Sequence, residues 1–294
     1  MTFTTRFAPS PTGPLHLGHA YSAMLAHDLA QRHGGTFLLR IEDIDQTRAR
    51  PQWEAQIYDD LHWLGLDWPR PVMRQSDRMA AYGAALDRLW ARGLLYPCIC
   101  SRRDIQEAMS APQEGAPMFG PDGLVYPGTC RLKRDEEGYA PAGHPRPVAD
   151  TLRLDMHGAW QSLGTDRLSF YEVGAGPAGQ TGRIALSADQ MQRDVGDVVL
   201  ARKGMGTSYH LSVVVDDAAQ GITHVVRGRD LFEATQIHVL LQHLLDVPVP
   251  RYHHHRLIRD DTGKRLAKRD DARAIAKYRD DGLSPQQIRD MTGL

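Results

Sequence analysis

The order of strand, helix and strand within the first 42 residues most constrains the fold of this chain. Residues 4 to 8 and 36 to 42 (TFLLRIE) are apolar runs with the length of buried strands. The helical run between them ends at Gly34 and Gly35, and glycine commonly ends helices. A β-α-β unit of this size predicts two parallel strands joined by a right-handed crossover. Because ligands of such sheets bind at the carboxyl ends of the strands, we expect a binding site just after the first strand.

The stretch RFAPSPTGPLHLGHA, residues 6 to 20, follows this strand and opens the predicted helix. The N–H groups at a helix N-terminus favour phosphate. His16 and His19 would donate hydrogen bonds to phosphate oxygens as charge builds in an in-line displacement, each contributing about 3–4 kcal/mol. Gly18 between them would let a ligand approach the backbone. Alone, the HxGH spacing fits surface histidines in a proline-rich loop equally well.

The strand and helix pattern is interrupted once. From Tyr96 to about Asp194 the chain is rich in proline, glycine and charge, which predicts an insertion. The pattern returns with DVVLARK, YHLSVVVDD and ITHVVRG, so we expect an α/β domain whose parallel sheet resumes after the insertion. The predicted parts are a first half of this domain (1–95), the insertion (96–195), a second half (196–250) and a loop with a short helical C-terminal segment (251–294).

Charge and hydropathy limit the partners and the location. The net charge of −1 and the isoelectric point near 6.9 argue against a protein that is basic throughout. A nucleic-acid partner would therefore bind a local basic patch. No window reaches the roughly 18 apolar residues of a membrane span, and the N-terminus lacks an apolar signal sequence. We predict a cytoplasmic protein without membrane contact.

The basic stretch GKRLAKRD, residues 263 to 270, suits polyphosphate because mobile cations can follow charge to a leaving pyrophosphate. As a lone feature it would be a solvated basic loop. Together with HLGH, it resembles the paired signatures of class I aminoacyl-tRNA synthetases. Lys268 matches the second lysine of their KMSKS-type loop, whereas Arg265 and Ala267 depart from that pattern.

The stretch LRIEDIDQTR, residues 39 to 48, ends a predicted strand in carboxylates that would suit an ammonium group. A simpler interpretation is a charged strand end in which Asp45 pairs with Arg48. In order and spacing, however, RFAPSPTGPLHLGH, LRIEDIDQTR, YHLSVVVDD and VVRGRDL resemble the catalytic domain of glutamyl-tRNA synthetases. This resemblance implies a Rossmann-type domain that joins glutamate to ATP, with Mg²⁺ accompanying the ATP, and then transfers the glutamyl group to RNA.

The resemblance also assigns residues to the two substrates. Arg6 would be a natural partner for a carboxylate, and Arg227 would offer a second bidentate site. Glu42 would hold the substrate ammonium group. The implied glutamate contacts are Arg6, Ala8, Ser10, Glu42, Tyr209 and Arg227; the implied ATP contacts are His16, Gly18, His19 and Lys268, of which His16, His19 and Lys268 would be catalytic.

Three cysteines, Cys98, Cys100 and Cys130, lie in the predicted insertion. An odd number argues against a disulfide framework and favours reduced thiols. They could be unligated core residues, or they could bind Zn²⁺ as three thiolates with Tyr126 or His144 as the fourth ligand. The close CxC pair resembles a zinc site of the short glutamyl-type enzymes. That resemblance implies one structural Zn²⁺ held by the three cysteines and Tyr126.

The end of the chain narrows the expected acceptor. Full-length glutamyl-tRNA synthetases carry a further helical region that reads the anticodon, and this chain ends soon after Lys268. The short form resembles glutamyl-queuosine tRNA(Asp) synthetases, which implies transfer of glutamate to the queuosine base at the wobble position. We expect a monomer that binds the anticodon region of tRNA(Asp). Two alternatives stay open: a minimal enzyme that charges a tRNA 3′ end, and an inactive RNA-binding relic of a synthetase.

The run His253 to His255 offers three adjacent imidazoles. Neighbouring residues on a strand point to opposite faces and cannot converge on one metal ion. We therefore expect exposed side chains, or contacts with RNA phosphate.

Overall fold

The computed structural model describes most of the chain. The basic stretch GKRLAKRD, and Lys268 with it, lies outside the described residues. None of the helices within the described ranges has the length and apolar character that a membrane crossing requires. The described ranges are 2–109, 119–138, 143–165, 167–258 and 273–294.

Strands and helices alternate along most of the described residues. The strands are β1 (Thr4–Phe7), β2 (Thr36–Ile41), β3 (Met73–Arg74), β4 (Leu95–Cys98), β5 (Phe119–Gly120), β6 (Gly123–Leu124), β7 (Thr151–Leu154), β8 (Ser169–Glu172), β9 (Gly182–Ala185), β10 (Val199–Ala201), β11 (His224–Gly228) and β12 (Arg251–His255). The helices are α1 (Leu17–Arg32), α2 (Pro51–Trp63), α3 (Met79–Ala91), α4 (Arg102–Met109), α5 (Thr129–Glu136), α6 (Met156–Gln161), α7 (Ala188–Gln190), α8 (Tyr209–Ala219), α9 (Thr235–Leu244), α10 (Ile275–Asp280) and α11 (Pro285–Thr292). The exceptions to the alternation are the consecutive pairs β5 and β6, β8 and β9, and α10 and α11.

The N-terminal β-α-β unit is present as predicted. Strand β1 runs parallel to β2, with Thr4 opposite Thr36, and β3 extends the sheet in the same direction. Helix α1 packs on β1 and β2 through small and apolar side chains such as Met24, which is fully buried. Gly34 has a φ of 58°, and this left-handed conformation turns the chain from α1 into β2.

A second sheet has the strand order β11, β12, β8, β9. The first three strands are parallel, and β9 pairs antiparallel with β8. This sheet adjoins the first one at Thr223, whose N–H donates to the Thr4 carbonyl oxygen at 2.9 Å. The Thr4 N–H in turn donates to the Thr223 hydroxyl at 2.8 Å. The carboxyl ends of β1, β11 and β12 consequently border one cavity.

A third sheet is antiparallel, in the order β10, β7, β4. It contains part of DVVLARK, so the expectation that this segment belongs to the resumed parallel sheet is wrong. Conversely, β8 comes from the predicted insertion but pairs parallel with β12. An apolar run indicates that a strand is buried without indicating which strand it pairs with, so the sequence could not separate these sheets. The four-part division of the chain stays a prediction.

Arg40 on β2 is fully buried, with 0% of its surface exposed. Its guanidinium donates to Asp217 at 2.7 Å, to Gln220 at 2.9 Å and to Glu42 at 3.1 Å. From β1, Arg6 donates two bonds to the same Asp217 carboxylate, at 3.0 and 3.2 Å. Burial raises the pKa of Asp217, but the two arginines outweigh burial and hold that pKa below its ordinary value. One ionised carboxylate on α8 therefore ties β1 and β2 together.

Replacing Arg40 by Met should lower the free energy of unfolding by about 3–5 kcal/mol, because breaking a buried ion pair leaves an uncompensated buried charge. Urea denaturation measures this change. Arg103→Ala is the matched control, since 86% of the Arg103 side chain is exposed beside its partner Glu107 and loss of such a pair costs at most about 1 kcal/mol. Equal losses in the two variants would contradict the structural role of Arg40.

Candidate functional site

A cavity of about 380 Å³ lies where β1, β11 and β12 end and α1 begins. Most residues predicted to bind glutamate or ATP lie on its wall. Ser10 lies instead on an adjoining cavity of about 440 Å³, which shares Glu42 and Tyr209 with the first. Lys268 falls outside the described part of the chain. The predicted residues on the wall of the first cavity are Arg6, Ala8, His16, Gly18, His19, Glu42, Tyr209 and Arg227.

His16 and His19 cap the N-terminus of α1. The Nδ1 atom of His16 accepts the Gly18 N–H at 3.1 Å, and the Nδ1 atom of His19 accepts the His16 N–H at 3.2 Å. A neutral imidazole that accepts at Nδ1 carries its proton on Nε2. The rings stack with their centroids 3.7 Å apart. The cap thus fixes two Nε2–H donors beside the positive end of the helix, where an anion is favoured.

Gly18 gives the His16 ring the space it needs. A Cβ atom at position 18 would lie 3.0 Å from Cε1 and 3.1 Å from Nδ1 of that ring. The glycine in HxGH therefore has a packing role within the cap, in addition to the ligand access expected from the sequence.

Gly18→Ala should displace the His16 ring and weaken ATP binding by about tenfold, the loss expected for one hydrogen bond to a charged group. Isothermal titration with ATP measures this change. Gly83→Ala is the control, because a Cβ there would meet only the Arg146 guanidinium, at an ordinary 3.8 Å. Unchanged ATP affinity in the Gly18 variant would refute the proposed link between the cap and phosphate binding.

The described residues that flank 259–272 lie beside the same histidines. Ile258 is on the cavity wall, and Ala274 forms an antiparallel bridge with His16. The Ile275 N–H donates to the Leu15 carbonyl oxygen at 2.8 Å. The chain on either side of the basic stretch is thereby anchored at this site.

Arg227, at the carboxyl end of β11, is 5% exposed. Its Nε donates to His254 at 3.1 Å, its Nη1 to His238 at 3.1 Å, and its Nη2 to the Thr235 hydroxyl at 2.7 Å and the Leu231 carbonyl oxygen at 3.2 Å. Burial lowers the pKa of both histidines, so each ring is neutral at neutral pH. Within the described residues, Arg227 is therefore held by uncharged acceptors.

Arg6 and Arg227 differ in the charge of their partners. Both lie on the cavity wall, but Asp217 already binds the Nε and Nη2 edge of Arg6. A carboxylate that entered the cavity would meet a paired cation at Arg6 and an unneutralised one at Arg227. Charge thus favours an anion at Arg227 over Arg6. Four of the five N–H groups of Arg227 already have partners among the described residues, so one Nη1–H is left for a ligand.

Glu42 follows β2 and faces the same cavity. Burial raises the pKa of Glu42, although Arg40 and Arg6 oppose this effect. An ammonium group bound there would favour the ionised carboxylate. Burial also raises the pKa of Tyr209, which keeps its hydroxyl protonated and able to donate.

The other carboxylates of LRIEDIDQTR serve the loop itself. Asp43 accepts the Ser76 N–H at 2.8 Å and the Ser76 hydroxyl at 2.7 Å. Asp45 pairs with Arg48 at 2.5 Å, as the simpler interpretation of this stretch anticipated. Of its three carboxylates, Glu42 is the one on the wall of the first cavity.

The expectation that His253 to His255 are exposed is wrong, since His253 is partly buried and the other two are buried. His254 is 1% exposed, and its ring lies between Glu172 and Arg227. His255 is 7% exposed and lies on the cavity wall. Strand β12 is flanked by β11 and β8, and strands inside a parallel sheet are covered on both faces.

The thiols of Cys98, Cys100 and Cys130 form a cluster whose Sγ atoms lie within 4.8 Å of one another. Tetrahedral Zn²⁺ with Zn–S bonds of about 2.3 Å needs sulfur separations of about 3.8 Å, and Cys100 and Cys130 lie 3.4 Å apart. The Tyr126 hydroxyl is 3.5 Å from Cys98 and 3.3 Å from Cys100. Arg153 donates to the Cys98 sulfur at 3.2 Å. The cluster could hold a metal ion, and His144 does not belong to it.

Several residues that hold the site together were not predicted from the sequence. Arg40 lies in LRIEDIDQTR, and Asp217 ends YHLSVVVDD. A charged residue in or beside an apolar run could have indicated a buried ion pair at these two positions. His238 and Glu172 carry no local signal, because their partners are distant in the sequence.

Comparison with protein families identifies the class of this chain. Residues 2–126 and 179–294 match the family described as tRNA synthetases class I (E and Q), catalytic domain. A relative from Rhodobacter capsulatus, named glutamyl-Q tRNA(Asp) synthetase, is 63% identical over 294 residues, covering 99% of each chain. A protein of the same name from Symbiobacterium thermophilum is 42% identical over 291 residues, covering 96% of this chain and 83% of its own.

A solved structure shares the fold. The glutamate tRNA ligase of Elizabethkingia meningosepticum, in complex with its amino acid, superposes with a TM-score of 0.69 at 24% identity over 97% of this chain. This chain spans 59% of the length of that ligase. The likeness assigns the α/β architecture to the class I synthetase catalytic fold.

Proposed function

Because this chain belongs to the class I tRNA synthetases of the glutamate and glutamine type and is a ligase, we propose that it activates glutamate with ATP. The proposed acceptor is the queuosine base at the wobble position of tRNA(Asp). The observation that carries this acceptor is the 63% identity, over 99% of both chains, to a relative named for that reaction. The intact cavity with Glu42 and Arg227 on its wall argues against an inactive relic.

Glutamate would bind between opposite charges of the first cavity. Arg227 would take the side-chain carboxylate, since its present partners are uncharged. Glu42 would hold the ammonium group, and Tyr209 would donate to the substrate. Arg6, whose charge Asp217 balances, would line the pocket together with Ala8. Ser10 lines the adjoining cavity and would complete the glutamate pocket near Glu42, which lines both cavities.

Activation would be an in-line displacement at the α-phosphorus of ATP. An oxygen of the α-carboxylate of glutamate forms the new P–O bond, while the bond to pyrophosphate breaks. The Nε2–H donors of His16 and His19 would stabilise the charge that builds on the phosphate oxygens. We assign Lys268, outside the described residues, to the leaving pyrophosphate, with Mg²⁺ bound to ATP.

Transfer would follow by attack of a queuosine hydroxyl on the carbonyl carbon of glutamyl-adenylate. The new C–O ester bond forms, the bond to AMP breaks, and the hydroxyl proton is released to solvent. No side chain of the protein is assigned as general base.

A structural Zn²⁺ would occupy the cysteine cluster, with Cys98, Cys100 and Cys130 as thiolates and Tyr126 as the fourth ligand. Without a metal ion, burial raises the pKa of Cys100 to about 11 and also raises the pKa of Tyr126. Binding would therefore release protons, and affinity should fall as the pH is lowered. The ion would join β4 to the start of α5.

Purified protein should contain about one equivalent of zinc by elemental analysis, as a closed structural site does. Tyr126→Phe should lose zinc faster than the unmodified protein to a competing chelator. His144→Ala should lose it at the unmodified rate, since His144 stands outside the cluster. Zinc loss in the His144 variant alone would reassign the fourth ligand, and zinc-free protein of full stability would refute the site.

Transfer of labelled glutamate tests the function directly. With ATP and two preparations of tRNA(Asp) that differ only in wobble queuosine, label should appear only on the queuosine-bearing RNA and survive removal of its 3′ end. Glu42→Ala should abolish both transfer and glutamate-dependent pyrophosphate exchange, because the ammonium group loses its partner. Label on a tRNA 3′ end would indicate the minimal conventional enzyme instead, and absence of all exchange would indicate the relic.

A further inference from the structure

Glu172, the last residue of β8, is a fully buried carboxylate that the mechanism above does not use. It lies between residues 126 and 179, in the segment that the class I family match leaves out. Strand β8 nevertheless pairs with β12, whose carboxyl end borders the cavity. A buried charge is costly unless it is paired and hydrogen-bonded, so its partners indicate what it does.

Three N–H groups converge on Glu172. Oε1 accepts the backbone N–H of His254 at 2.9 Å and that of Gly174 at 2.8 Å. Oε2 accepts from Nδ1 of the His254 ring at 2.5 Å. Burial raises the pKa of Glu172, but the bonds from His254 outweigh burial and place the pKa below its ordinary value. Glu172 is therefore an ionised carboxylate that accepts three hydrogen bonds, two from His254 and one from Gly174.

This contact fixes the tautomer of His254. Because the Nδ1–H group donates a hydrogen bond to Glu172, the Nε2 atom of the neutral ring keeps its lone pair and accepts the Nε–H of Arg227 at 3.1 Å. The Thr235 hydroxyl, which accepts from Nη2 of Arg227 at 2.7 Å, lies 3.2 Å from the same His254 nitrogen. Glu172 thus fixes the ring of His254, and this ring in turn orients the guanidinium of Arg227.

We propose that Glu172 is a positioning residue for the glutamate pocket, which fixes the tautomer of His254 and thereby holds Arg227 in the orientation that binds the substrate carboxylate. The inference rests on the proposed activation of glutamate and does not depend on the acceptor. An imidazole between the two charges orients Arg227 without pairing it directly with a carboxylate, unlike Asp217 beside Arg6. The cation therefore keeps its charge for the substrate.

Glu172→Gln separates this role from simple packing, because the side chain keeps its size. If the glutamine oxygen accepts the two backbone N–H groups, its NH₂ group faces Nδ1 of His254. That nitrogen must then accept, and the ring proton moves to Nε2. Two N–H donors, from His254 and Arg227, would then oppose each other across 3.1 Å.

The experiment measures glutamate-dependent pyrophosphate exchange together with the ¹⁵N shifts of the histidine rings. In Glu172→Gln, KM for glutamate should rise about tenfold, the loss expected for one hydrogen bond to a charged group. KM for ATP should change by less than about twofold, because among the described residues the hydrogen bonds of Glu172, His254 and Arg227 do not include His16 or His19. The His254 proton should move from Nδ1 to Nε2, and Glu172→Asp, which keeps the charge, should restore the Nδ1 tautomer.

Thr181→Val is the matched control. The Thr181 hydroxyl donates to the backbone oxygen of Glu172 at 3.3 Å, so its loss loosens the chain around Glu172 where β8 meets β9, without touching His254 on β12. This variant should retain both KM values and the His254 tautomer.

Two results would overturn the positioning role. One is an unchanged His254 tautomer with unchanged KM for glutamate in Glu172→Gln. The other is an equal rise of both KM values, which would assign Glu172 to packing alone. Wild-type protein without glutamate-dependent exchange would instead overturn the proposed function, while the tautomer of His254 would still report whether Glu172 sets the ring.

Discussion

The buried carboxylate of Asp217 is the contact on which the rest of the site depends. It receives Arg6 from β1 and Arg40 from β2, two strands whose ends border the cavity. Arg40 in turn contacts Glu42 at 3.1 Å. Ionised groups in a low-dielectric interior are tolerated only when they are paired with good geometry, so each member restrains the others. The network therefore sets the relative position of the two strands and of Glu42 on the cavity wall.

The two arginines of the cavity show how one residue type can serve two purposes. Arg6 is neutralised by Asp217 and belongs to the framework. Arg227 is bound by His254, His238 and neutral oxygens, and it keeps its charge. Burial enforces this difference, because it lowers the pKa of both histidines and keeps them uncharged beside the guanidinium. This arrangement supports the proposed binding of a substrate carboxylate at Arg227.

Prediction of local structure from the sequence succeeded where a motif makes its own short-range contacts. The HxGH stretch encodes its own geometry, since His16, Gly18 and His19 build the helix cap from bonds between residues two and three positions apart. The assignment of DVVLARK to the parallel sheet failed because strand pairing is a non-local property. The expected exposure of His254 failed for the same reason, since its burial comes from the strands on either side of β12.

The sequence by itself determined the β-α-β unit, the capped helix start and the family whose signatures the chain carries. These features depend on periodicity and on contacts between residues only a few positions apart. Only the tertiary structure decided that Arg6 is paired, that Arg227 is held by neutral groups, and that Glu172 reaches the site through His254. The charge state and orientation of a buried side chain depend on neighbours brought from distant parts of the chain, because burial removes the water that would otherwise screen them.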